Sequence, residues 1–409
     1  MKVSTQKSES QIDIYSRQIS LGVGLAAIPE RLLLAHAQGK VLFITGAGIS
    51  KPAGLPDFRE LVIAAYKQLD PPVYEVISKI PQVACNLWEV DKASLGPAQA
   101  AEVKRFISGD YDVVLGMLER RMDGRTDSNS TVRRVLVDLL RKPGIKPAPI
   151  HHTLIRLADR GDAKAIVTTN FDLLLEEATK RSGTAVNTYT LGGIPRPALN
   201  DDFAGVFHIH GALDRNPKRL SDIIVSDQDF GEFYLRRRIV PDFIYDAARL
   251  FHLVLIGYSA NDAPMRYLLN AVAADDNRFE DVKERFIFTS SKDPIDLKDW
   301  RGRGITPIPY SEANGHEALL NTLKRWAVLS VINGNKRAVD TEIKRIVKIK
   351  RSLASDADRD LFDHFIRRNG NDHNEQVRIS GLVSKHKADI DWLDAIVSIA
   401  MEHNREGER

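Results

Sequence analysis

Four short motifs along this 409-residue sequence carry residue types that could bind a phosphate or move a proton. The first motif follows an apolar run, Val41 to Thr45, and reads Gly46-Ala47-Gly48-Ile49-Ser50. Two glycines this close let backbone amides approach a phosphate without a Cβ in the way, and a following helix N-terminus would add its positive dipole end. The spacing departs from the common dinucleotide fingerprint, because Lys51 stands where a third glycine or alanine is expected. A structural turn without a ligand therefore remains an alternative.

The first motif continues into Gly54-Leu55-Pro56-Asp57-Phe58-Arg59, so the glycine turn does not lead straight into a long helix. This continuation can be interpreted in two ways. Phe58 and Arg59 could belong to a ligand site, or Phe58 could be a core residue and Arg59 a solvated one. The choice depends on whether related motifs follow in the chain.

The second motif follows another apolar run, Ala165 to Thr169, which has the character of a buried strand. The run ends in Asn170-Phe171-Asp172 before a helical segment. Polar residues at the carboxyl end of a parallel strand lie where open α/β sheets bind ligands. Asn170 or Asp172 could equally cap the helix that follows, since both residue types are good helix caps.

The third motif is Val206-Phe207-His208-Ile209-His210-Gly211, a predicted strand that ends in a histidine and a turn. Side chains two positions apart point to the same side of a strand, so His208 and His210 could form a metal pair. No third ligand with sensible local spacing follows, which disfavours a metal site. A neutral imidazole near pH 7 can instead accept a proton from a hydroxyl or a water.

The fourth motif ends a very apolar run, Leu253 to Ile256, which predicts a central strand. The run leads into Gly257-Tyr258-Ser259-Ala260-Asn261-Asp262, a loop that combines a glycine with a hydroxyl group. Asp262 could bind a ribose or cap the helix that follows. Like the other three motifs, this loop is expected at the carboxyl end of its strand.

Predicted strands and helices alternate around these motifs. Further strands are predicted at Ala185–Thr190, Arg285–Thr289 and Ile305–Tyr310. Leu21–Gln38 is expected to form a helix, and helical spacing of apolar residues over about 60–150 predicts a helical insertion. His151-His152 opens a further helix, where adjacent histidines point to different sides, so a polar helix start fits better than a metal pair. The arginine run from Arg236 to Arg238 is expected to be a solvated helix face.

Composition is that of an ordinary globular protein, with 43% hydrophobic and 28% charged residues. The 58 basic and 55 acidic residues nearly cancel to +3, so no global field indicates nucleic acid or an anionic membrane. Met1 to Asp13 lacks the apolar core of a signal peptide, and Leu21–Ala35 is too short to span a bilayer, so a cytoplasmic location is expected. The single cysteine, Cys85, excludes an internal disulfide and any zinc site that needs two thiolates.

Together and in this order, the four motifs resemble those of the sirtuin family. GAGIS with G-x-P-D-F-R looks like its nucleotide-binding signature, and Thr-Thr-Asn-Phe-Asp looks like its asparagine motif. His-Gly looks like its catalytic histidine pair, and Gly-Tyr-Ser looks like the loop that meets the dinucleotide. The resemblance covers roughly Val41 to Tyr310. It implies an α/β fold with a doubly wound, mostly parallel Rossmann-like sheet that binds NAD, to which helical spacing adds the helical insertion and a C-terminal all-α module.

The resemblance also implies roles for individual residues. Asn170 would contact the nicotinamide ribose and take part in catalysis, and His210 would accept a proton. The residues expected to bind NAD are Gly46, Ala47, Gly48, Ser50, Asp57, Phe58, Arg59, Thr169, Asp172, Gly257, Tyr258 and Ser259. Phe58 and Arg59 would cover the nicotinamide end. Thr169 stands where most sirtuins carry glutamine, and Tyr258 replaces a small hydroxyl residue.

A further departure from the family changes the expected reaction. Sirtuins that deacylate proteins usually carry a four-cysteine zinc ribbon between the histidine and the serine loop, and this interval contains no cysteine. Without the ribbon, one wall of the acyl-lysine cleft is missing, so water becomes the expected nucleophile and no zinc is expected. The expected activity is hydrolysis of the substrate NAD to nicotinamide and ADP-ribose. Zinc-less sirtuin-like proteins with a helical insert and a helical tail resemble the NAD-depleting effectors of bacterial antiphage defence.

The chain is expected to divide into three parts. Residues 1–40 would be a helical lead-in, and residues 41–315 would be the sirtuin-like catalytic domain with its insert at about 60–150. Residues 316–409 carry only helical patterns and would form a C-terminal domain for oligomerisation or partner binding. By the same resemblance, activity would be held off until a partner or oligomeric state changes. A homo-oligomer is expected, and a helicase-like ATPase is one candidate for a regulatory partner.

Two other functions stay open at the level of the sequence. The protein could be an NAD-dependent deacylase or ADP-ribosyltransferase that turns over only with an acylated or acceptor protein. It could also be a non-catalytic sensor that binds NAD or ADP-ribose and passes the signal to the C-terminal helices.

Overall fold

Parallel strands form the centre of the molecule. The computed structural model describes residues 17–81, 95–124, 130–161, 163–180, 186–198, 202–216, 222–258, 269, 282–370, 372–386 and 388–407. The strands are β1 (Gln18–Ser20), β2 (Ala27–Pro29), β3 (Val41–Thr45), β4 (Ala165–Thr168), β5 (Thr188–Tyr189), β6 (Gly205–His208), β7 (His252–Ile256), β8 (Arg285–Thr289) and β9 (Ile305–Pro309). Within the described ranges, β3 to β9 form one parallel sheet in the order β5-β6-β4-β3-β7-β8-β9.

The order of the strands places a topological switch at β3. The chain runs from β3 to β4, β5 and β6 on one side, and later to β7, β8 and β9 on the other. Every residue of β3, β4 and β6 is buried, as expected for strands that helices cover on both faces. In sheets of this kind, ligands bind outside the carboxyl ends of the strands at the switch. The predicted α/β fold with a doubly wound parallel sheet is confirmed.

Helices cover both faces of the sheet and continue beyond it. They are α1 (Glu30–Ala37), α2 (Phe58–Leu69), α3 (Pro71–Ile77), α4 (Pro97–Ile107), α5 (Tyr111–Asp123), α6 (Thr131–Leu140), α7 (Pro149–Leu157), α8 (Leu174–Lys180), α9 (Asp227–Phe230), α10 (Ile239–Leu250), α11 (Pro294–Gly302), α12 (Ala313–Leu329), α13 (Lys336–Ile346), α14 (Asp356–Arg367), α15 (His373–Lys385) and α16 (Ile390–Gly407). A π-helix, Gly231–Arg236, directly follows α9. The predicted helical insertion corresponds to α2 to α6, and the predicted C-terminal helices to α12 to α16.

The C-terminal helices share the hydrophobic core on one face of the sheet. Phe43 of β3 lies against Trp326 of α12 with ring centroids 5.6 Å apart, and His36 of α1 lies 5.0 Å from the same indole. The cluster continues through Phe362 and Phe365 of α14. The opposite face of the sheet packs against α10, and α2 to α6 form most of a third cluster. Burial of apolar surface therefore ties the C-terminal helices directly to the sheet.

A buried carboxylate also joins the N-terminal and C-terminal regions. Glu30 of α1 is fully buried and accepts hydrogen bonds from Arg367 Nη1 at 3.0 and 3.1 Å and from His364 Nδ1 at 3.2 Å. Arg17 Nη1 lies 3.3 Å from the same carboxylate. Burial alone would raise the pKa of Glu30, but the hydrogen bonds and charges of His364 and Arg367 outweigh it and lower the pKa to about 2. Glu30 is therefore an ionised anchor for α14.

The N-terminal region differs from its prediction. The helix predicted over Leu21–Gln38 is wrong in its first half, because β1 and β2 pair antiparallel before α1 begins after Pro29. Gly24, in the turn between the two strands, has a φ of 73°, which a continuing right-handed helix does not allow. Cys85 lies outside the described residues. None of the helices in the described ranges combines the length and the apolar character needed to cross a membrane.

Candidate active site at the carboxyl ends of the central strands

One set of paired residues in the sheet brings the four motifs to the same edge. Thr45 of β3 pairs with Thr168 of β4 and with Ile256 of β7, and Thr168 pairs with His208 of β6. These four paired residues lie side by side across the sheet. Gly46 and Gly257 come one position after them in the chain, and Asn170 and His210 come two positions after them. Loops that are far apart in the sequence therefore meet at one end of the sheet, at the switch where such folds bind ligands.

The glycine turn after β3 packs directly against the loop after β7. Gly48 N–H donates to Gly257 O at 2.9 Å. A Cβ on Gly48 would lie 2.9 Å from Gly257 Cα, and a Cβ on Gly46 would lie 2.7 Å from Gly257 O, so neither position has room for a side chain. The amides of Ile49 and Ser50 donate within the turn. The glycines thus serve the contact between two loops, a reason that differs from the phosphate approach predicted from the sequence.

The hydroxyl of Ser50 joins the first motif to the second. It donates to Asp172 Oδ2 at 2.8 Å and accepts from Asn170 Nδ2 at 3.0 Å. Asn170 Nδ2 also donates to Gly46 O at 3.2 Å. These two contacts use the amide nitrogen, and Asn170 Oδ1 accepts no hydrogen bond from the residues that the structure describes. The buried Asn170 side chain is therefore held by its nitrogen, with its oxygen free for a ligand.

Asp172 combines the two roles that the sequence left open. Its Oδ1 accepts from Leu174 N–H at 3.1 Å at the start of α8, and its Oδ2 accepts from the Ser50 hydroxyl. Burial raises the pKa of Asp172, while the hydrogen bonds from Leu174 and Ser50 partly offset the rise. The carboxylate thus supports the helix and fixes the orientation of the Ser50 hydroxyl.

His151 belongs to the same group of side chains, although the sequence predicts a polar helix start there. It is fully buried, its Nδ1 accepts from Ala148 N–H at 3.1 Å, and its Nε2 lies 3.5 Å from Ser50 Oγ. Burial lowers the pKa of His151 to about 4, so the ring is neutral at pH 7. The predicted polar helix start fits the hydrogen bond to the Ala148 amide, which caps the first turn of α7, but the sequence analysis did not predict that the ring is buried. The available signal was its apolar surroundings on α7, where Ile150 and Leu154 are buried too.

His208 forms a buried ion pair behind Asn170. Its Nδ1 donates to Asn170 O at 2.8 Å, and its Nε2 donates to Glu176 Oε1 at 2.8 Å. A carbonyl and a carboxylate are both acceptors, so these contacts suit a His208 ring that carries a hydrogen on each nitrogen. Burial alone would lower the pKa of His208, but the hydrogen bond and charge of Glu176 outweigh it and raise the pKa. His208 therefore joins the backbone of Asn170 to the side chain of Glu176.

His210 lies just beyond the end of β6 and contacts a tyrosine that the sequence did not indicate. Its Nε2 is 2.7 Å from the hydroxyl oxygen of Tyr234 on the π-helix. The His210 ring also meets Phe230 edge-on, with centroids 5.6 Å apart. Burial lowers the pKa of His210 to about 3, so the imidazole is neutral at physiological pH. A neutral ring is the form that can accept a proton.

Three predicted site residues have other contacts in the structure. Asp57 caps α2, and the side chains of Phe58 and Arg59 contact the helical insertion. Asp57 forms a capping box with Glu60 at the start of α2. Phe58 lies edge-on to Tyr111, with centroids 6.4 Å apart. The Arg59 side chain donates to Ile80 O and lies 5.3 Å from the ring centroid of Phe106. Within the described ranges, none of the contacts shown for these three side chains is with Asn170 or His210.

The remaining predicted site residues have mixed positions. Thr169 N–H donates to Thr45 O at 3.0 Å and its hydroxyl reaches the same oxygen at 3.4 Å, so Thr169 ties β4 to β3. Tyr258 is half-buried and packs against the core next to α10. Ser259 and Asp262 lie outside the described residues. No three His, Cys, Asp or Glu residues in the described ranges are placed to hold a metal ion.

Comparison with known proteins supports the resemblance over part of the chain. Residues 164–308, which include the Asn170, His210 and Gly257 motifs, match the family model described as SIR2-like domain. The chain is 30% identical over 365 residues to a protein of Sinorhizobium fredii (strain NBRC 101917 / NGR234) described as "Uncharacterized protein y4cA". That match covers 83% of this chain and only 28% of the length of the curated relative. A solved structure described as "Structural Basis for the Mechanism and Regulation of Sir2 Enzymes" is 15% identical, covers 72% of this chain and 96% of that chain, and has a TM-score of 0.34.

Proposed function

We propose that this protein is a regulated NAD+ hydrolase that cleaves the bond between nicotinamide and ribose. The main support for the proposal is the pairing of Thr45, Thr168, Ile256 and His208 across the sheet. Because of this register, the loops that contain Gly46, Asn170, His210 and Gly257 begin at the same edge of the sheet. The match of residues 164–308 to the SIR2-like domain supports the same substrate class.

The proposed reaction needs a positioned ribose and a positioned water. The bond from ribose C1′ to the nicotinamide nitrogen breaks, and its electron pair stays on that nitrogen and neutralises the pyridinium. The transition state resembles an oxocarbenium ion, so holding the ribose and controlling the nucleophile lower the barrier. A water oxygen forms the new bond to C1′ and releases one proton. The products are nicotinamide, ADP-ribose and that proton.

The side chains of Asn170 and His210 suit these two tasks. Ser50 and Gly46 hold the amide nitrogen of Asn170, which leaves Oδ1 to accept a hydrogen bond from a ribose hydroxyl or from the water. His210 is neutral and can take the proton that the water releases. We assign the binding of NAD to the loops after β3, β4 and β7. Because Phe58 and Arg59 contact the insertion, their covering of the nicotinamide end would require a change of position.

We also propose that the C-terminal helices regulate the activity. In this proposal residues 41–315 form the catalytic domain and residues 316–409 form the module that binds a second copy or a partner such as a helicase-like ATPase. The contact of Trp326 with Phe43 supports this role, because it lies directly behind the strand that carries the glycine turn. Depletion of cytoplasmic NAD during phage infection would be the biological use.

Incubation of the purified 409-residue protein with NAD alone tests the proposal. Chromatography should detect equal amounts of nicotinamide and ADP-ribose, and the series should be repeated over a range of protein concentrations because assembly is proposed to control activity. Turnover that requires an acylated peptide would support a deacylase instead. Binding of NAD by calorimetry, without nicotinamide release at any protein concentration, would overturn the hydrolase and support a sensor.

A further inference from the structure

The hydroxyl of Tyr234 is the one hydrogen-bond partner of the His210 ring among the residues that the structure describes. The two atoms, His210 Nε2 and Tyr234 Oη, lie 2.7 Å apart, and both side chains are buried. The rings meet at an interplanar angle of 65°, with centroids 5.9 Å apart. Because this contact involves a ring nitrogen, the direction of the hydrogen bond and the position of the ring hydrogen depend on each other.

The two ring nitrogens of His210 have different surroundings. Nε2 is occupied by Tyr234, and Nδ1 makes no hydrogen bond within the described ranges. A neutral imidazole carries one hydrogen, and the nitrogen without it is the one that accepts a proton. If Nε2–H donates to the Tyr234 oxygen, Nδ1 holds the free lone pair. If the Tyr234 hydroxyl donates to Nε2, Nδ1 carries the hydrogen and cannot act as a base.

The backbone that carries Tyr234 is firmly anchored on its N-terminal side. Tyr234 lies in the π-helix, a rare form of backbone that often occurs at functional sites. In α9, which precedes it, the Asp229 carboxylate accepts from Arg133 Nη2 at 2.7 Å and from Ser226 N–H at 2.9 Å. Arg133 also donates to the buried carboxylate of Glu119 at 2.9 Å. Arg133 of the helical insertion thus anchors α9, which leads into the π-helix whose Tyr234 contacts His210.

We propose that Tyr234 is a positioning residue that keeps the neutral His210 ring protonated on Nε2 and leaves Nδ1 as the proton acceptor. When Nδ1 takes a proton, the Tyr234 oxygen continues to accept from Nε2–H and stabilises the imidazolium. The part of this inference that concerns catalysis rests on the proposed hydrolysis of NAD. The tautomer itself is a property of the free protein.

The substitution Tyr234→Phe tests the inference, because it removes the hydroxyl and keeps the ring that packs on His210 and Phe230. Tyr245→Phe, the same change on the half-buried side of α10, is the matched control. Nitrogen NMR of ring-labelled histidine reports the tautomer of His210, with His210→Gln used to assign the signal. We expect Nε2–H in the unaltered protein and a shift towards the other tautomer in Tyr234→Phe alone. The kcat for NAD should fall about tenfold or more with little change in KM.

Two outcomes would overturn the inference. One is a hydrogen on Nδ1 in the unaltered protein, a measurement that stands even if the variant does not fold. The other is a Tyr234→Phe protein with unchanged tautomer and unchanged kcat. If the tautomer shifts as expected but no NAD is hydrolysed by any form, the proposed function fails and the positioning of His210 by Tyr234 stands.

Discussion

Asn170 and His210 occupy equivalent positions on neighbouring parallel strands, each two residues beyond the directly paired Thr168 and His208. His208 strengthens the relationship, because its Nδ1 donates to the backbone oxygen of Asn170 at 2.8 Å. The two residues therefore follow neighbouring strands at the same edge of the sheet.

Replacing Asn170 or His210 by alanine should reduce NAD hydrolysis by about a hundredfold or more, since each change removes a group that positions the nucleophile or takes its proton. Nicotinamide release measures the loss, and thermal unfolding checks the fold. His373→Ala, at an exposed position of α15, is the matched control and should keep full activity. Full activity in either site variant would remove that residue from the proposed mechanism.

Ser50→Ala should lower kcat, because Asn170 and Asp172 both lose the hydroxyl that holds them. The buried groups left without a partner should also lower the free energy of unfolding by about 1–3 kcal/mol. Denaturant unfolding and steady-state kinetics measure the two effects. Ser108→Ala, at an exposed helix end, provides the comparison. A Ser50→Ala protein with unaltered kcat would show that Asn170 does not depend on this hydroxyl.

The pH dependence of kcat/KM should lack an acidic limb near pH 6.5. Burial lowers the pKa of His210 to about 3, so the base stays neutral while pH falls through the range in which an ordinary histidine is protonated. We expect a constant kcat/KM between about pH 8 and pH 5. A fall with a midpoint near 6.5 would mean that His210 is not the base, or that the site is more hydrated than the structure indicates.

Glu176→Gln should destabilise the protein most at low pH. The pKa of His208 is raised above its unfolded value, so the His208–Glu176 pair contributes its full stability below about pH 6.5 and loses it as pH rises through the raised pKa. Breaking the pair should cost about 3 kcal/mol near pH 6. Urea unfolding of both proteins at pH 6 and pH 9 measures the difference. A difference that grows with pH would contradict the assigned charge on His208.

The protein should lose stability at acidic pH, over a pH range that depends on the pKa values of its buried neutral histidines. Burial lowers the pKa of His36 and His151 to about 4 and that of His210 to about 3. The unfolded chain binds these protons below about pH 6.5 and the folded chain does not, so stability falls as pH drops from about 6.5 towards 4. Each histidine contributes up to about 1.4 kcal/mol per pH unit.

His36→Gln provides the check on this acid window, since glutamine keeps a donor for Leu157 O and does not titrate. Its stability should fall less steeply with acid than that of the unaltered protein. Unfolding curves at half-unit steps of pH measure the slope. Equal slopes in the two proteins would show that His36 is not a source of the acid sensitivity.

The order of the motifs was enough to predict the sheet and the meeting of its loops. Strands buried on both faces have continuous apolar runs, and parallel strands bring their carboxyl ends to one edge, so Asn170 and His210 could be placed from the sequence. Helical spacing located the insertion and the C-terminal helices for the same reason. The periodic pattern carries information about which face is buried and little about which polar atoms meet across it.

The partners of the site residues could not be predicted, because they come from elements distant in the sequence. Tyr234 lies next to an arginine run whose Arg236 and Arg237 side chains pair with Glu232 at the surface, and this exposed pattern masks one buried tyrosine. The position of Arg59 depends on the packing of the insertion, where Ile80 O and the ring of Phe106 are its partners. Neither the contact of Tyr234 with His210 nor the contacts of Arg59 correspond to a recognisable spacing of residue types in the sequence.

The contact between Trp326 and Phe43 has a consequence for how the protein can be divided. Deleting α12 to α16 would remove the helices that pack on one face of the sheet. A large hydrophobic surface would then be exposed to water. Such a fragment should aggregate rather than work as a minimal enzyme. A protein that binds α12 to α16 would therefore contact helices that pack on the sheet itself.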